Sequence, residues 1–321
     1  MDNKTIKKSL ISWYDINKRE LPWRLKNKQN QYNPYYILVS EFMLQQTTVS
    51  TVKARYNKFI KKWPDIESLS KASESQILKF WSGLGYYNRA INLLKCAKII
   101  TKKFNSKIPK TFNDLTSLPG IGKYTAKAIL GIAYNKRVMA IDSNVERIIA
   151  RIYCLRSPLS KIKNDIEKYS KKFILQSRPG DMIQCLMDYG SLICLPRNPI
   201  CDECVINKFC VSYKKDLTNL VPNKKKRIKK FKLKKYTCAY IIINKKNEIF
   251  LKRRSSRGML PTMLEVPNGK WLRSSINKNY INRNKPLNIS FKKLESSVNY
   301  SFSHFDLNIK IYFAKSNKTK I

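Results

Sequence analysis

The sequence is poor in acidic residues: 21 Asp and Glu stand against 65 Lys and Arg, a net charge of +44 over 321 residues. It holds a single histidine. No stretch approaches roughly 18 uncharged apolar residues, and Met1 to Glu20 has no apolar h-region, so neither membrane spanning nor secretion is expected. A cytoplasmic, nucleoid-associated protein is the expectation. In that compartment the eight cysteines are not expected to form a disulfide framework, which turns attention to their spacing. Internal repeats are lacking too. What is present excludes global disorder, because 43% of residues are hydrophobic and 11% aromatic. The length suits two domains. The positive excess has two sources: a Lys-, Asn- and Ile-rich composition such as an AT-rich genome yields, and a polyanionic partner.

From Lys4 to about Cys194 apolar residues recur at helical intervals, as in Ala90, Leu93, Leu94, Ala97 and Ile100, and the prolines at 34, 64, 109, 119, 158 and 179 divide the stretch into single helices. From Pro222 to Lys235 nine of fourteen residues are Lys or Arg and none is acidic, which reads as a solvated tether or as a phosphate-contacting segment. Thr237–Ile243, Glu248–Lys252 and Leu307–Phe313 then read as strands, with the turn-like 244–247 between the first two. The expected organisation is a helical domain over residues 1–215, a basic linker over 216–235, and a small β-containing domain over 236–321.

Cys194, Cys201, Cys204 and Cys210 fall within 17 residues as C-x6-C-x2-C-x5-C. Thiols this dense in a reducing compartment point to a metal site. Zinc loops usually present two short C-x2-C-like pairs and only one exists here, whereas an iron–sulfur cluster accepts uneven spacing; both remain open on spacing alone. The other four cysteines are scattered and read as small buried hydrophobes. Arg197, Lys208, Lys214 and Lys215 surround the cluster with positive charge.

Leu118-Pro119-Gly120-Ile121-Gly122-Lys123 lies between two helical stretches. Gly120 and Gly122 permit a tight turn that exposes N–H groups, and with Lys123 and the next helix's N-terminus they make a phosphate-holding hairpin, or an ordinary helix–helix turn. Because acids are scarce, Glu41 inside Ile37-Leu38-Val39-Ser40-Glu41-Phe42-Met43-Leu44 needs a reason. Desolvation there raises a carboxyl pKa and suits general acid work; pairing with an arginine such as Arg24 is the plainer account. Asp142 follows Val138–Ile141 and precedes a helical segment, where Ser143 and Glu146 have capping-box spacing. Two carboxylates facing one pocket are what glycosidic bond cleavage requires, and a duplex substrate must first be flipped out.

Several segments together resemble the MutY adenine DNA glycosylases of the helix-hairpin-helix, endonuclease III-like superfamily. They are Leu21-Pro22-Trp23-Arg24, Ser40 to Thr47, Gly83 to Ala90, Leu118 to Gly122, Asp142-Ser143-Asn144-Val145, the four-cysteine loop, and Phe302-Ser303-His304-Phe305. The resemblance implies a mainly α, two-lobed glycosylase domain with one [4Fe–4S] cluster, followed by a short α+β Nudix-like domain, acting as a monomer. It also implies monofunctional removal of adenine mispaired with 8-oxoguanine or G in duplex DNA. Carried over, Glu41 protonates adenine and helps activate water, and Asp142, oriented by Asn144, stabilises the oxocarbenium ion. Tyr124 stands where bifunctional relatives carry a Schiff-base lysine. Trp23, Arg24 and Gln184 resemble the adenine pocket, and Gln45 and Tyr86 the residues wedged into the duplex. Phe302, Ser303 and His304 resemble the loop that reads the oxidised purine. Ser143 replaces a common glycine, and the chain ends 17 residues after His304, so the second domain is expected to be C-terminally short. Two other readings stay open: a bifunctional glycosylase/AP lyase, and a non-catalytic, metal-stapled DNA-binding module.

Overall fold

The computed structural model describes residues 2–223, 232–255, 258, 263–302 and 304–317. The chain forms two compact units, Met1–Lys225 and Lys226–Ile321. The first therefore extends past residue 215. Residues of the expected linker belong to it: Val221 is buried, and its carbonyl accepts from Arg151 Nε at 2.9 Å.

The first unit is all helical. α1 (Asn3–Asn17) opens on the Asp2 cap, which accepts from the backbone of Lys4 and Thr5. α2 (Pro34–Leu44) begins with Pro34 at its first position and the Asn33 side chain on Tyr35 N–H. α2 is apolar on every side, and Tyr35 and Ile37–Met43 are all buried, which makes it the central helix. α3 (Val49–Lys62), α4 (Ile66–Ser70) and α5 (Glu74–Trp81) start on side-chain caps from Thr48, Asp65 and Ser73, the last two as reciprocal capping boxes. α6 (Asn88–Lys103), α7 (Phe112–Ser117) and α8 (Lys123–Ala128) complete this lobe. α8 runs on as a π-helical segment, Ile129–Ala133, a form that commonly accompanies functional sites. α9 (Ser143–Ile152), α10 (Lys163–Ser170), α11 (Pro179–Leu192) and α12 (Val211–Lys214) pack with α1 into the second lobe. One continuous apolar core runs through both lobes, from Ile6 and Leu10 of α1 through Phe42 of α2 to Leu186 of α11.

In the second unit β1 (Leu233–Ile243), β2 (Lys252–Arg253), β3 (Leu264–Glu265), α13 (Lys278–Arg283), β4 (Lys292–Ser301) and β5 (Phe305–Lys315) follow in order. The three-stranded sheet has the order β1-β5-β4, with β1 parallel and β4 antiparallel to β5. β1 begins inside the expected linker. The expected strand over 248–252 is confined to an isolated bridge between Ile243 and Ile249 and to Lys252 of β2. β4, not anticipated from sequence, is nearly all exposed and presents no apolar face to betray it. A small core forms around Cys238, Tyr240, Ile276 and Tyr312.

Candidate active site

A cavity of about 560 Å³ opens where α2, α8, α11 and the entry to α9 converge, and Glu41, Tyr124, Asp142, Asn144 and Gln184 line it. Trp23, Arg24 and Gln45 border it as well. Glu41 is buried because α2 is. Desolvation, reinforced by the Asp142 charge, pushes its carboxyl up to about 7, and a hydrogen bond donated by the Tyr124 hydroxyl only partly opposes this. Burial likewise raises the Tyr124 phenol well above its ordinary value. Arg24 does not pair with Glu41. It reaches Asp188 on α11 at 2.6 and 2.9 Å, together with Arg19 at 2.7 Å, so Glu41 keeps the proton affinity that burial confers.

Asp142 is itself the cap of α9. One carboxylate oxygen accepts from the backbone of Asn144 and Val145 at 2.9 and 2.8 Å, the other from Asn144 Nδ2 at 2.8 Å. Ser143 is the first helical residue, so α9 starts on the Asp142 cap and not on the expected Ser143/Glu146 box. Capping and cavity lining are not alternatives here, since one side chain does both. Asn144 is held in turn by Arg147 Nη2, whose Nε donates to the Cys194 carbonyl, tying this loop to the cysteine loop. At Gly190 a Cβ would stand 2.5 Å from the Asn144 side chain, so α11 approaches this closely only as glycine.

Gln184 is buried, its Nε2 donating to the Tyr32 hydroxyl at 3.1 Å. Gln45 is half-buried and donates to the Gly120 carbonyl at 3.3 Å. Gly120 (φ +81°) packs so closely that a Cβ would meet Phe42 at 2.7 Å, which seats the hairpin directly on the helix that carries Glu41. Gly122 caps α8 without any side-chain acceptor, and Lys123 is exposed outside the cavity lining. Tyr86 is 59% exposed at the tip of its turn, with φ +47°. Gln46, exposed at φ +55°, is the projecting member of the Gln45-Gln46 pair, whereas Gln45 turns to the hairpin. One further residue carries no sequence expectation. Arg19 lines the cavity from outside any motif, and its partner Asp188 carries the signal that singled out Glu41, a carboxylate in an apolar run.

Cys194, Cys201, Cys204 and Cys210 line one small apolar cavity with Ile148, Ile193 and Ile206. Among the described residues no three His, Cys, Asp or Glu side chains meet closely enough to hold a metal ion. Four thiols facing a shared apolar space, with Arg151 Nη1 donating to Cys194 Sγ at 3.3 Å, fit an iron–sulfur cluster ligated by thiolates. Arg197, Lys208, Lys214 and Lys215 are exposed around this loop.

In the second unit, Phe302 and His304 lie in the tight connection between β4 and β5, and Ser303 lies outside the described residues. Phe302 packs against Tyr300, Phe305 and Trp271 with centroids 4.6, 4.7 and 6.0 Å apart. His304 is exposed, edge-on to Phe305.

No helix of the described residues is long and apolar enough to cross a membrane. Residues 39–174 match the HhH-GPD superfamily of base excision DNA repair proteins, residues 194–210 the iron-sulfur binding domain of endonuclease III, and residues 238–320 a NUDIX domain. An adenine DNA glycosylase of Buchnera aphidicola (subspecies Baizongia pistaciae) is 34% identical over 98% of this chain and 87% of its own length. The human adenine DNA glycosylase is 35% identical over 63% of this chain and 38% of its own. Among solved structures, a thermostable thymine-DNA glycosylase superposes with a TM-score of 0.60 at 29% identity, over 66% of this chain and 97% of that one. Endonuclease III in a non-covalent DNA complex shares the fold at a TM-score of 0.55 and 20% identity, over 68% and 99%.

Proposed function

The chain belongs to the MutY-type adenine DNA glycosylases, hydrolases of base excision repair that act on DNA and carry an iron–sulfur cluster, and from that premise we propose a monofunctional enzyme that removes adenine mispaired with 8-oxoguanine or G. The observation that carries the chemistry is Glu41: a carboxyl held near neutrality that shares a cavity with Asp142. Protonated Glu41 donates to the departing adenine, whose negative charge would otherwise build on the ring. Asp142, its carboxyl group fixed by three donors, faces the sugar as positive charge develops at the anomeric carbon. Glu41, now a carboxylate, withdraws a proton from the attacking water. Trp23, Arg24 and Gln184 wall the flipped base, and Gln46 and Tyr86 enter the stack it leaves.

The monofunctional reading rests on Tyr124, which donates to Glu41 from the position where a lysine would form an imine. The four cysteines would hold a single [4Fe–4S] cluster, which would staple the loop whose exposed basic residues, like the Gly120–Lys123 hairpin, meet the phosphate backbone. Phe302 and His304 present an aromatic edge to the base opposite adenine.

The test is single-turnover base release on duplexes carrying adenine opposite 8-oxoguanine or opposite G, with borohydride present. Adenine release from both, faster opposite 8-oxoguanine, with abasic product and no trapped protein–DNA adduct, is expected. Efficient trapping with strand cleavage would establish a lyase instead, and no release from either would favour a binding module. In the free enzyme the protonated form of Glu41 is the active one. The value of kcat/KM for adenine release should therefore fall about tenfold per pH unit as pH rises through about 7.

A further inference from the structure

We propose that Arg89 is a positioning residue that locks the two duplex-entering turns, Gln45–Thr47 and Gly83–Tyr86, into one rigid unit. This rests on the reading of Gln46 and Tyr86 as the residues that enter the base stack. Arg89 lies in the first turn of α6, is 7% exposed, and reaches under both turns at once. Its Nη1 donates to the carbonyls of Phe42 at 3.1 Å, Met43 at 2.8 Å and Gln45 at 2.5 Å. Its Nη2 donates to Thr47 Oγ1 at 2.9 Å and to the carbonyls of Leu84 at 2.8 Å and Gly85 at 3.0 Å. The guanidinium carbon stands 5.5 Å from the Trp81 ring centroid and 5.8 Å from that of Tyr86.

Two physical problems meet at this point. The last turn of α2 ends with orphan carbonyls at the negative pole of the helix, just past the segment that carries Glu41. Gln46 and Tyr86 both adopt positive φ without being glycine, a conformation that persists only where the surroundings enforce it. One planar, doubly forked cation answers both, because its two nitrogens reach acceptors on two separate segments in a fixed geometry that a lysine ammonium cannot copy. Arg89 makes no salt bridge to a carboxylate among the described residues; its acceptors are carbonyl and hydroxyl oxygens. A cation spent in this way is costly as a mere packing device, and burial lowers its pKa. Its effect is to fix the spacing between two side chains that must enter one base step together, so that unstacking is driven by a preformed wedge and not by two mobile loops.

The experiment places 2-aminopurine in the adenine position opposite G and measures its fluorescence at saturating enzyme, in the chemically silent Glu41→Gln background. Single-turnover adenine release is measured in the Glu41 enzyme. Arg89→Lys, which keeps charge and loses the fork, should shrink the fluorescence rise several-fold and slow release by about tenfold or more, while duplex affinity falls less than threefold. Thr47→Val removes only one loop acceptor and should show the same selectivity at smaller size. It decides the matter if Arg89→Lys does not fold. An undiminished fluorescence rise in these variants, or a loss of affinity that matches the loss of rate, overturns the proposal. Gln46→Ala and Tyr86→Ala separate the two layers. If they leave the rise intact, the wedge reading fails; if they reduce it while Arg89→Lys and Thr47→Val do not, only the role of Arg89 fails.

Discussion

Glu41→Gln is expected to reduce single-turnover adenine release by roughly a thousandfold while leaving duplex affinity nearly unchanged, and at the same time to make the protein more stable. Gln cannot donate the proton the leaving base needs, yet it fills the same volume and can still accept from Tyr124. The stability gain follows from the carboxyl's raised value. The folded protein binds the Glu41 proton more tightly than the unfolded chain does, so the native state is favoured below the ordinary value of 4.5 and loses that advantage as pH rises through about 7. Above that range the buried charge costs roughly 3 kcal/mol, which a neutral amide does not incur. Thermal denaturation should show Glu41→Gln several degrees above the parent at pH 8 and close to it at pH 5. A variant less stable than the parent at pH 8 would mean that the carboxylate is compensated in some other way, and its role as acid would fall with that.

Asp142→Asn is expected to lower adenine release by about 10²–10³-fold at almost no cost to the fold. Asn caps a helix as well as Asp does, so the backbone N–H groups of Asn144 and Val145 keep their acceptor and α9 keeps its start. What disappears is the negative charge facing the developing cation. Asp142→Ala should show the same catalytic defect plus a loss of about 1 kcal/mol from the missing cap. Equal thermal stability for Asn and parent, with activity reduced in both variants, separates the charge from the cap. Full activity in Asp142→Asn would remove this carboxylate from the mechanism.

Glu41 was legible because a lone acid in an unbroken apolar run has few explanations, and the run itself dictated a buried helix. Asp188 carries the same signal and has the opposite meaning, because Arg19 and Arg24, about 165 positions earlier in the chain, neutralise it. Periodicity cannot report that pairing. The cap of α9 was visible as a cluster of capping residue types, but Ser143 and Asp142 compete for one position and only backbone geometry decides. In the second unit β1 and β5 announce themselves as runs rich in β-branched and aromatic residues. β4 is polar along nearly its whole length, and its place at the sheet edge comes from pairing with β5 and not from any buried face. The six-fold reach of Arg89 is likewise invisible in a string, since five of its acceptors are main-chain atoms.

The apolar core that passes from α1 through α2 to α11 joins the two lobes of the helical unit around the cavity. A body so packed is expected to resist closing over its substrate like a jaw. The mechanical work of presenting adenine falls on the nucleic acid, through bending, unstacking and strand rotation, and its cost depends on how readily the flanking base steps deform. Turnover should then vary with the stiffness of the sequence around a mispair, even at positions that no side chain touches.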